Sequence, residues 1–266
     1  MHTQTRAFRA LHHLEHRYLD RSAFIKPIAH RGLHDFKHGR VENTAPAFAL
    51  GLSKGYGLEC DLQPAEDGTP MVFHDETVDR LIDGKGRLAT MSVKALQALN
   101  YKGQEEQIIT FAEFLELAAG RGPLLVEVKS DWKAPKAGFL DAIAKHAKRY
   151  KGPLALMSFD PKVMAALATL APKVPRGIVA GRYEGDGWWL DTIGAERGAR
   201  LTDLLESGPA TPSFFAYHIK SLPTPVTRYV REVQGLPVFT WTVRSAADRK
   251  VAAKHADAAI FEGFEA

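Results

Sequence analysis

Short apolar runs recur along this chain, and between them apolar residues return every three or four positions. The runs are "KPIAHR", "GLECDLQ", "LLVEVK", "LALMSF", "RGIVAG", "FFAYHI", "PVFTWTV" and "AAIFE". Each is brief and apolar on both faces of its pleat, the pattern of a strand covered from both sides. Alternation of such runs with helical periodicity predicts βα units and a parallel sheet. A ninth run, "TPMVFHD", follows the turn "EDGT" directly and predicts a strand paired back on the second. Helical patterns include "TAPAFALGLSKG", "MSVKALQALN", "TFAEFLELAAG", "LDAIAKHAKRY" and "DPKVMAALATLA". Thr110 with Glu113 fits a capping box, and Asp160-Pro161 fits an N-cap followed by proline at the first helical position.

At the N-terminus Phe8, Leu11, Leu14 and Tyr18 share one helical face. They predict a helical extension over residues 1–24 that packs across one end of the domain, with a helix lying on a membrane surface as the competing reading. No linker rich in Ser, Pro or Gly and no internal repeat interrupts the rest. Residues 25–266 therefore predict one α/β domain, a (β/α)8 TIM barrel with a small β-hairpin insertion after strand 2.

Composition narrows the classes. The 266 residues are 45% hydrophobic and 25% charged, ordinary values for a soluble globular protein. Lys and Arg outnumber Asp and Glu by 35 to 31, a mild and dispersed excess that favours anionic ligands and argues against nucleic acid as a partner. Cys60 is the only cysteine, which excludes an intrachain disulfide and a thiol-based metal site. No apolar run approaches the ~20 residues of a membrane span, so stable membrane insertion is not expected. The stretch "MHTQTRAFRALHHLEHRYLDR" is broken by charge throughout and lacks a signal-peptide core. A cytoplasmic enzyme or binding protein is the expectation.

In a TIM barrel the carboxyl ends of the strands converge on one mouth, where active sites lie. By that rule the first strand delivers His30 and Arg31, the second Glu59 and Asp61, the third Glu127 and Lys129, and the hairpin His74 and Asp75. The i, i+2 spacing of Glu59 and Asp61 puts both carboxylates on one face. Three carboxylates without a thiol make a hard, oxygen-rich pocket suited to Mg2+ or Ca2+. Arg31 and Lys129 can meet a phosphate, the arginine through its planar fork. His30 and His74 can divide general-base and general-acid work near neutral pH. Together these residues describe metal-assisted cleavage of a phosphate ester. Each pair alone has a plainer reading as a solvated strand end, an ion pair or a turn cap; their conjunction at successive strand ends favours a site.

Other groups are less committed. His30, His34 and His38 have the i, i+4, i+8 spacing of a zinc-binding helical face, but Gly32 and Gly39 argue against a helix there. His12, His13 and His16 fit a surface helix. Trp188 and Trp189, after the Gly-rich "EGDG", fit either a lid over substrate or core packing. Trp241, near the end of the seventh strand, fits an apolar wall for substrate or a core anchor. His218 and Lys220 are candidates for a second anion contact.

As an ordered set, "HRG" at 30–32, "ENT" at 42–44, "ECD" at 59–61, "DGTPMVFHDETVDR" at 67–80, "VEVK" at 126–129 and "FTWTV" at 239–243 resembles the glycerophosphodiester phosphodiesterase family. The resemblance spans roughly residues 26–261. It implies release of an alcohol and sn-glycerol 3-phosphate from deacylated phospholipids with a divalent cation. Carried over, His30 and His74 are the acid–base pair, Glu59, Asp61 and Glu127 hold the metal, and Arg31 and Lys129 hold the phosphate. Glu42 orders the site or contacts substrate. The attacking group is either the neighbouring glycerol hydroxyl, through a cyclic phosphate, or water. Family members often follow the last strand with Asp or Asn and a nearby proline, whereas this chain reads "AIFEGFEA". Residues 181–220 carry no family motif. The rival readings are a lysophospholipase D or phospholipase C-like enzyme acting on intact lipid, and a catalytically silent barrel that binds phosphorylated metabolites.

Overall fold

The computed structural model describes residues 19–134, 137–185 and 187–266. Among these, nine strands form one sheet: β1 (Ile28–Ala29), β2 (Gly57–Pro64), β3 (Pro70–Val72), β4 (Leu124–Val128), β5 (Leu154–Ser158), β6 (Arg176–Ala180), β7 (Phe214–His218), β8 (Val238–Val243) and β9 (Ala258–Phe261). β1 pairs in parallel with both β2 and β9, which closes the sheet into a barrel of eight parallel strands. β3 stands outside that ring, antiparallel to β2. The TIM barrel and the extra hairpin strand read from the sequence are both present. Helices Ala45–Ser53, Phe111–Ala118, Ala137–Arg149, Pro161–Leu170 and Ala246–His255 lie between consecutive strands. Thr110 and Glu113 close their capping box, and Asp160 accepts from the Lys162 N–H.

Alternation along the strands sorts the residues. Leu58, Cys60 and Leu62 of β2 and Leu124, Val126 and Val128 of β4 pack outward against Phe114, Ile143, Leu167 and other helix residues. The intervening positions point into the barrel. Leu125, Ala155, Met157, Val179, Phe214, Ala216, Phe239 and Ile260 fill the interior, joined by Leu19 and Phe24 from the segment before β1. Glu59, Asp61 and Glu127 share this inward set, one step further along β2 and β4. Phe8, Leu11, Leu14 and Tyr18, which would form the face of the expected N-terminal helix, lie outside the described residues.

The excursion after β2 is larger than the expected hairpin. Between β3 and helix Phe111–Ala118 the chain builds a satellite core around Phe73, Val78, Leu81, Ile82 and Tyr101. The pattern "MSVKALQALN" contributes only the short helix Val93–Gln97 here, with Ser92 as its N-cap.

The interior is filled closely. Phe214 and Phe239 sit with ring centroids 5.1 Å apart, and a Cβ added to Gly177 would come within 2.2 Å of the Phe214 ring. Gly177→Ala is therefore expected to destabilise the barrel by about 1–3 kcal/mol through overpacking. A thermal melt equal to wild type would show that the ring can retreat.

Candidate active site

The inward carboxylates sit at the carboxyl ends of β2 and β4, and Asp61 and Glu127 are direct register partners. Oxygens of Glu59, Asp61 and Glu127 all lie within 4.8 Å of one another, on buried side chains. Lys129 Nζ lies between two of them, 2.7 Å from Asp61 and 2.6 Å from Glu127. Burial works against the Lys129 charge, but Asp61 and Glu127 outweigh it and hold the ammonium above its ordinary range. Burial likewise works against the Asp61 charge, yet Lys129, His74 and Arg31 keep this carboxyl well below the usual carboxylate range. Glu59 is treated differently: burial, followed by the charges of Asp61 and Glu127, pushes it well above that range.

The turn after β1 carries His30, Arg31 and Gly32 into this field. Arg31 adopts a left-handed φ of 54°, uncommon for a residue with a side chain. That conformation lets its backbone N–H donate to Glu59 at 2.9 Å, while Asn43 N–H donates to the Arg31 carbonyl. The guanidinium donates to Glu42 at 2.7 Å, and its Nε lies 3.2 Å from Asp61. Gly32 follows at φ 78°, where a Cβ would stand 2.9 Å from Ala47 of the next helix, so only glycine fits. Asn43, itself at φ 58°, donates its side-chain amide to Asp61 at 2.9 Å.

Both histidines spend Nδ1 on a carboxylate. His30 Nδ1 meets Glu262 Oε2 at 2.5 Å, and His74 Nδ1 meets Asp75 Oδ1 at 2.6 Å. His30 Nε2 is thereby turned toward Glu59, 3.9 Å away. Burial pushes the His30 imidazole below its ordinary value even though the Glu262 hydrogen bond opposes this. Burial opposes the Glu262 charge too, but His30, His34 and Arg244 bring that carboxyl well below its usual range. Arg80 grips Asp75 through Nε at 2.6 Å and Glu42 through Nη2 at 2.7 Å, so one guanidinium serves both carboxylates.

These groups open onto a cleft of about 870 Å³ lined by His30, Arg31, Glu59, His74, Glu127 and Lys129. Its other wall is aromatic: Trp132, Phe159, Tyr183, Trp189 and Trp241. Trp241 packs edge-on against Phe159 and donates Nε1–H to the Ala216 carbonyl. Trp189 packs against Tyr183. His218 lines the cleft beside Trp241, whereas Lys220 pairs with Asp248.

His30, Arg31, Glu42, Glu59, Asp61, His74, Glu127, Lys129 and Trp241 are thus in one neighbourhood, with Asp61 beneath the lining and Glu42 tied to Arg31. The zinc-like spacing of His30, His34 and His38 does not bring that trio together: His38 pairs with Asp35, while His30 and His34 meet Glu262. Sequence reasoning missed Glu262 and Arg244 and gave no role to Asn43 and Arg80, which lie inside the quoted motifs. The strand-end rule would have found Glu262 had it been applied to the last strand as well as the first three.

The donor set fits a hard divalent cation. Three buried carboxylates face Lys129 and an Arg31 that is shared with Glu42, which leaves Glu59 difficult to ionise. A dication held by Glu59, Asp61 and Glu127 would relieve that excess negative charge with oxygen donors alone.

Fold and site together define a TIM barrel whose ionisable groups gather at the carboxyl ends of its strands, the end at which barrel enzymes carry their sites. The chain belongs to the glycerophosphoryl diester phosphodiesterase family, whose sequence model matches residues 30–262. A glycerophosphodiester phosphodiesterase of Caldanaerobacter subterraneus subsp. tengcongensis is 31% identical over 162 residues, covering 57% of this chain and 65% of that protein. Human glycerophosphodiester phosphodiesterase 1 is 41% identical over 77 residues, 29% of this chain and 22% of the human one. The match thus spans about a fifth of the length of the mammalian relatives and just under two thirds of the bacterial one. Among solved structures, an Oleispira antarctica phosphodiesterase in complex with the product sn-glycerol-3-phosphate superposes with a TM-score of 0.67 at 22% identity, over 89% of this chain and 92% of that one. The glycerophosphodiester phosphodiesterase of Thermotoga maritima gives 0.67 at 21% identity, over 89% and 93%. At these identities the likeness is one of fold.

Asn43 offers a test of how the carboxylates are held. Asn43→Gly removes a hydrogen bond to a charged, buried group and should cost about 1.5–3 kcal/mol. Asn43→Ala adds the penalty of a left-handed alanine and should cost about 1–2 kcal/mol more. Equal denaturation midpoints for the two variants would count against the backbone part of this account.

Proposed function

We propose that this protein hydrolyses glycerophosphodiesters to an alcohol and sn-glycerol 3-phosphate, using His30 and His74 as an acid–base pair and Mg2+ or Ca2+ on Glu59, Asp61 and Glu127. The observation that carries the reading is the single cleft onto which both histidines, Glu59, Glu127, Arg31 and Lys129 open. Its volume suits a small-molecule ligand. With Nδ1 of each ring committed to a carboxylate, proton transfer falls to the two Nε2 atoms. One withdraws a proton from the attacking group, water or the neighbouring glycerol hydroxyl, while the other protonates the departing alkoxide; where the glycerol hydroxyl attacks, the roles reverse as water adds to the cyclic phosphate and breaks its new P–O bond. Arg31 and Lys129 orient the phosphate, the arginine keeping part of its fork on Glu42. A bound dication would supply Lewis-acid stabilisation of charge growing on the phosphoryl oxygens.

The aromatic wall supports a second reading, turnover of lysolipids. Trp132, Trp189 and Trp241 offer apolar area that a small polar alcohol does not need. Among the described residues no helix is long and apolar enough to cross a membrane, so such a substrate would come to the cleft as a monomer or from a surface. Comparing lysophosphatidylcholine with glycerophosphocholine separates the two.

The deciding experiment follows release of sn-glycerol 3-phosphate from glycerophosphocholine, glycerophosphoethanolamine and glycerophosphoglycerol. Extended dialysis against EDTA should abolish turnover, and added Mg2+ or Ca2+ should restore it. Turnover that survives chelation would remove the cation from this account.

His30→Ala and His74→Ala should each lower kcat by about 10²–10⁴, the usual scale of general acid–base catalysis. A variant with wild-type kcat would assign its histidine a structural role.

A further inference from the structure

We infer that Glu262, held by Arg244, is the positioning residue for His30, fixing the imidazole so that Nδ1 carries the proton and Nε2 faces the cleft. The inference rests on the reading of His30 as an acid–base group.

Both oxygens of Glu262 are in use. Oε2 meets His30 Nδ1, and Oε1 accepts from Arg244 Nε at 2.6 Å. His34 Nε2 lies 3.5 Å from Oε2. Beyond His30, His34 and Arg244, no side chain of the described residues bonds to this carboxylate. The backbone reinforces the same geometry. Residue 262 follows β9, which pairs with β1, and His30 N–H donates to the Phe261 carbonyl at 2.9 Å. Main chain and ring of His30 are therefore both tethered to the end of the last strand, 232 residues away.

The arrangement recurs at the second histidine. Asp75 meets His74 Nδ1 with one oxygen and Arg80 Nε with the other, as Glu262 does with His30 and Arg244. Two histidines reach the cleft from different strands, each backed by a carboxylate and that carboxylate by an arginine. Independent packing accidents would not supply the same three-part sequence twice. A carboxylate on one imidazole nitrogen selects the tautomer and raises the basicity of the other nitrogen. Surface pairing does not account for the Arg244 contact as a stabilising device, because Arg244 is 57% exposed and exposed pairs contribute little to folding.

The test uses the full chain, metal-saturated, with glycerophosphocholine, comparing Glu262→Gln, Glu262→Asp, His30→Ala and the double variant Glu262→Gln/His30→Ala. Glu262→Gln should lower kcat about 10–100-fold, the usual effect of removing a histidine's outer partner, with little change in KM. Glu262→Asp, which keeps the charge on a shorter arm, should recover part of the loss. In the His30→Ala background Glu262→Gln should cost nothing further, since the ring it positions is gone. A full, independent loss in the double variant overturns the inference, because Glu262 would then act elsewhere. Wild-type kcat in Glu262→Gln alongside a slow His30→Ala overturns the positioning role alone. Wild-type kcat in His30→Ala overturns the acid–base reading itself. Nitrogen-detected NMR of the unmutated enzyme, with His30 assigned by difference from His30→Ala, provides a reading that needs no folded Glu262 variant. Nδ1–H is expected, and an Nε2–H tautomer sinks the proposal.

Discussion

Three carboxylates held on the inward face of two adjacent strands constrain everything around them. Glu59, Asp61 and Glu127 are buried, and like charges at this spacing are costly where the dielectric is low. The surrounding chain is arranged as compensation. Lys129 spans two of the three, Asn43 brings an amide to Asp61, and the Arg31 turn gives up an ordinary backbone conformation to direct its N–H at Glu59. Removing Lys129, the ion-pair partner of both Asp61 and Glu127, would leave buried charge uncovered, a loss on the order of 3–5 kcal/mol.

The compensation extends beyond the barrel. Arg31 leans on Glu42, Glu42 on Arg80, Arg80 on Asp75, and Asp75 on His74. Three sequence motifs are thereby parts of one hydrogen-bonded chain of alternating charge. Its outer anchor, Arg80, rises from the satellite core of Val78, Leu81, Ile82 and Tyr101. That core explains why the excursion after β2 is larger than a hairpin. A two-stranded ribbon alone would be too weakly held to keep an arginine in register with two carboxylates.

Much of this was legible in the sequence because it depends on short periods. Alternation within "GLECDLQ" and "LLVEVK" puts the outward residues in the helix layer and the acids in the barrel, and both strands follow it. Strand-end placement located His30, Arg31, Glu127 and Lys129 for the same reason. That Glu262 and Arg244 serve His30 was not legible in that way, since they reach it only through closure of β9 on β1, a pairing that no local pattern announces. The helical spacing of His30, His34 and His38 misleads for a related reason: the turn at Gly32 destroys the period, and two of the three converge on Glu262 from a loop instead. Trp189 and Trp241 were candidates for the aromatic wall, but the rest of it escaped. Trp132, Phe159 and Tyr183 enter from three separate loops after β4, β5 and β6, where side-chain direction follows from tertiary packing.

That wall bears on the charges opposite it. Ionic interactions strengthen as water is excluded, so apolar surface facing the carboxylates and histidines raises the effect of each on a bound anion. Trp241 is suited to this because its orientation is set from three sides, by Phe159, by His218 and by the Ala216 carbonyl. A ring fixed in this way excludes solvent without having to be ordered by substrate, which avoids the entropic cost of immobilising a mobile side chain on binding. The charged half of the cleft is dictated by paired strands and changes little without breaking the barrel. The aromatic half takes Trp132, Phe159 and Tyr183 from loops, beside Trp241 on β8 and Trp189 on a short helix, so much of it can change without breaking the barrel. If the proposed reaction holds, selectivity for the departing alcohol and the strength of the electrostatic field reside partly in the same side chains, and altering one wall to admit a different alcohol also changes the field around a bound phosphate.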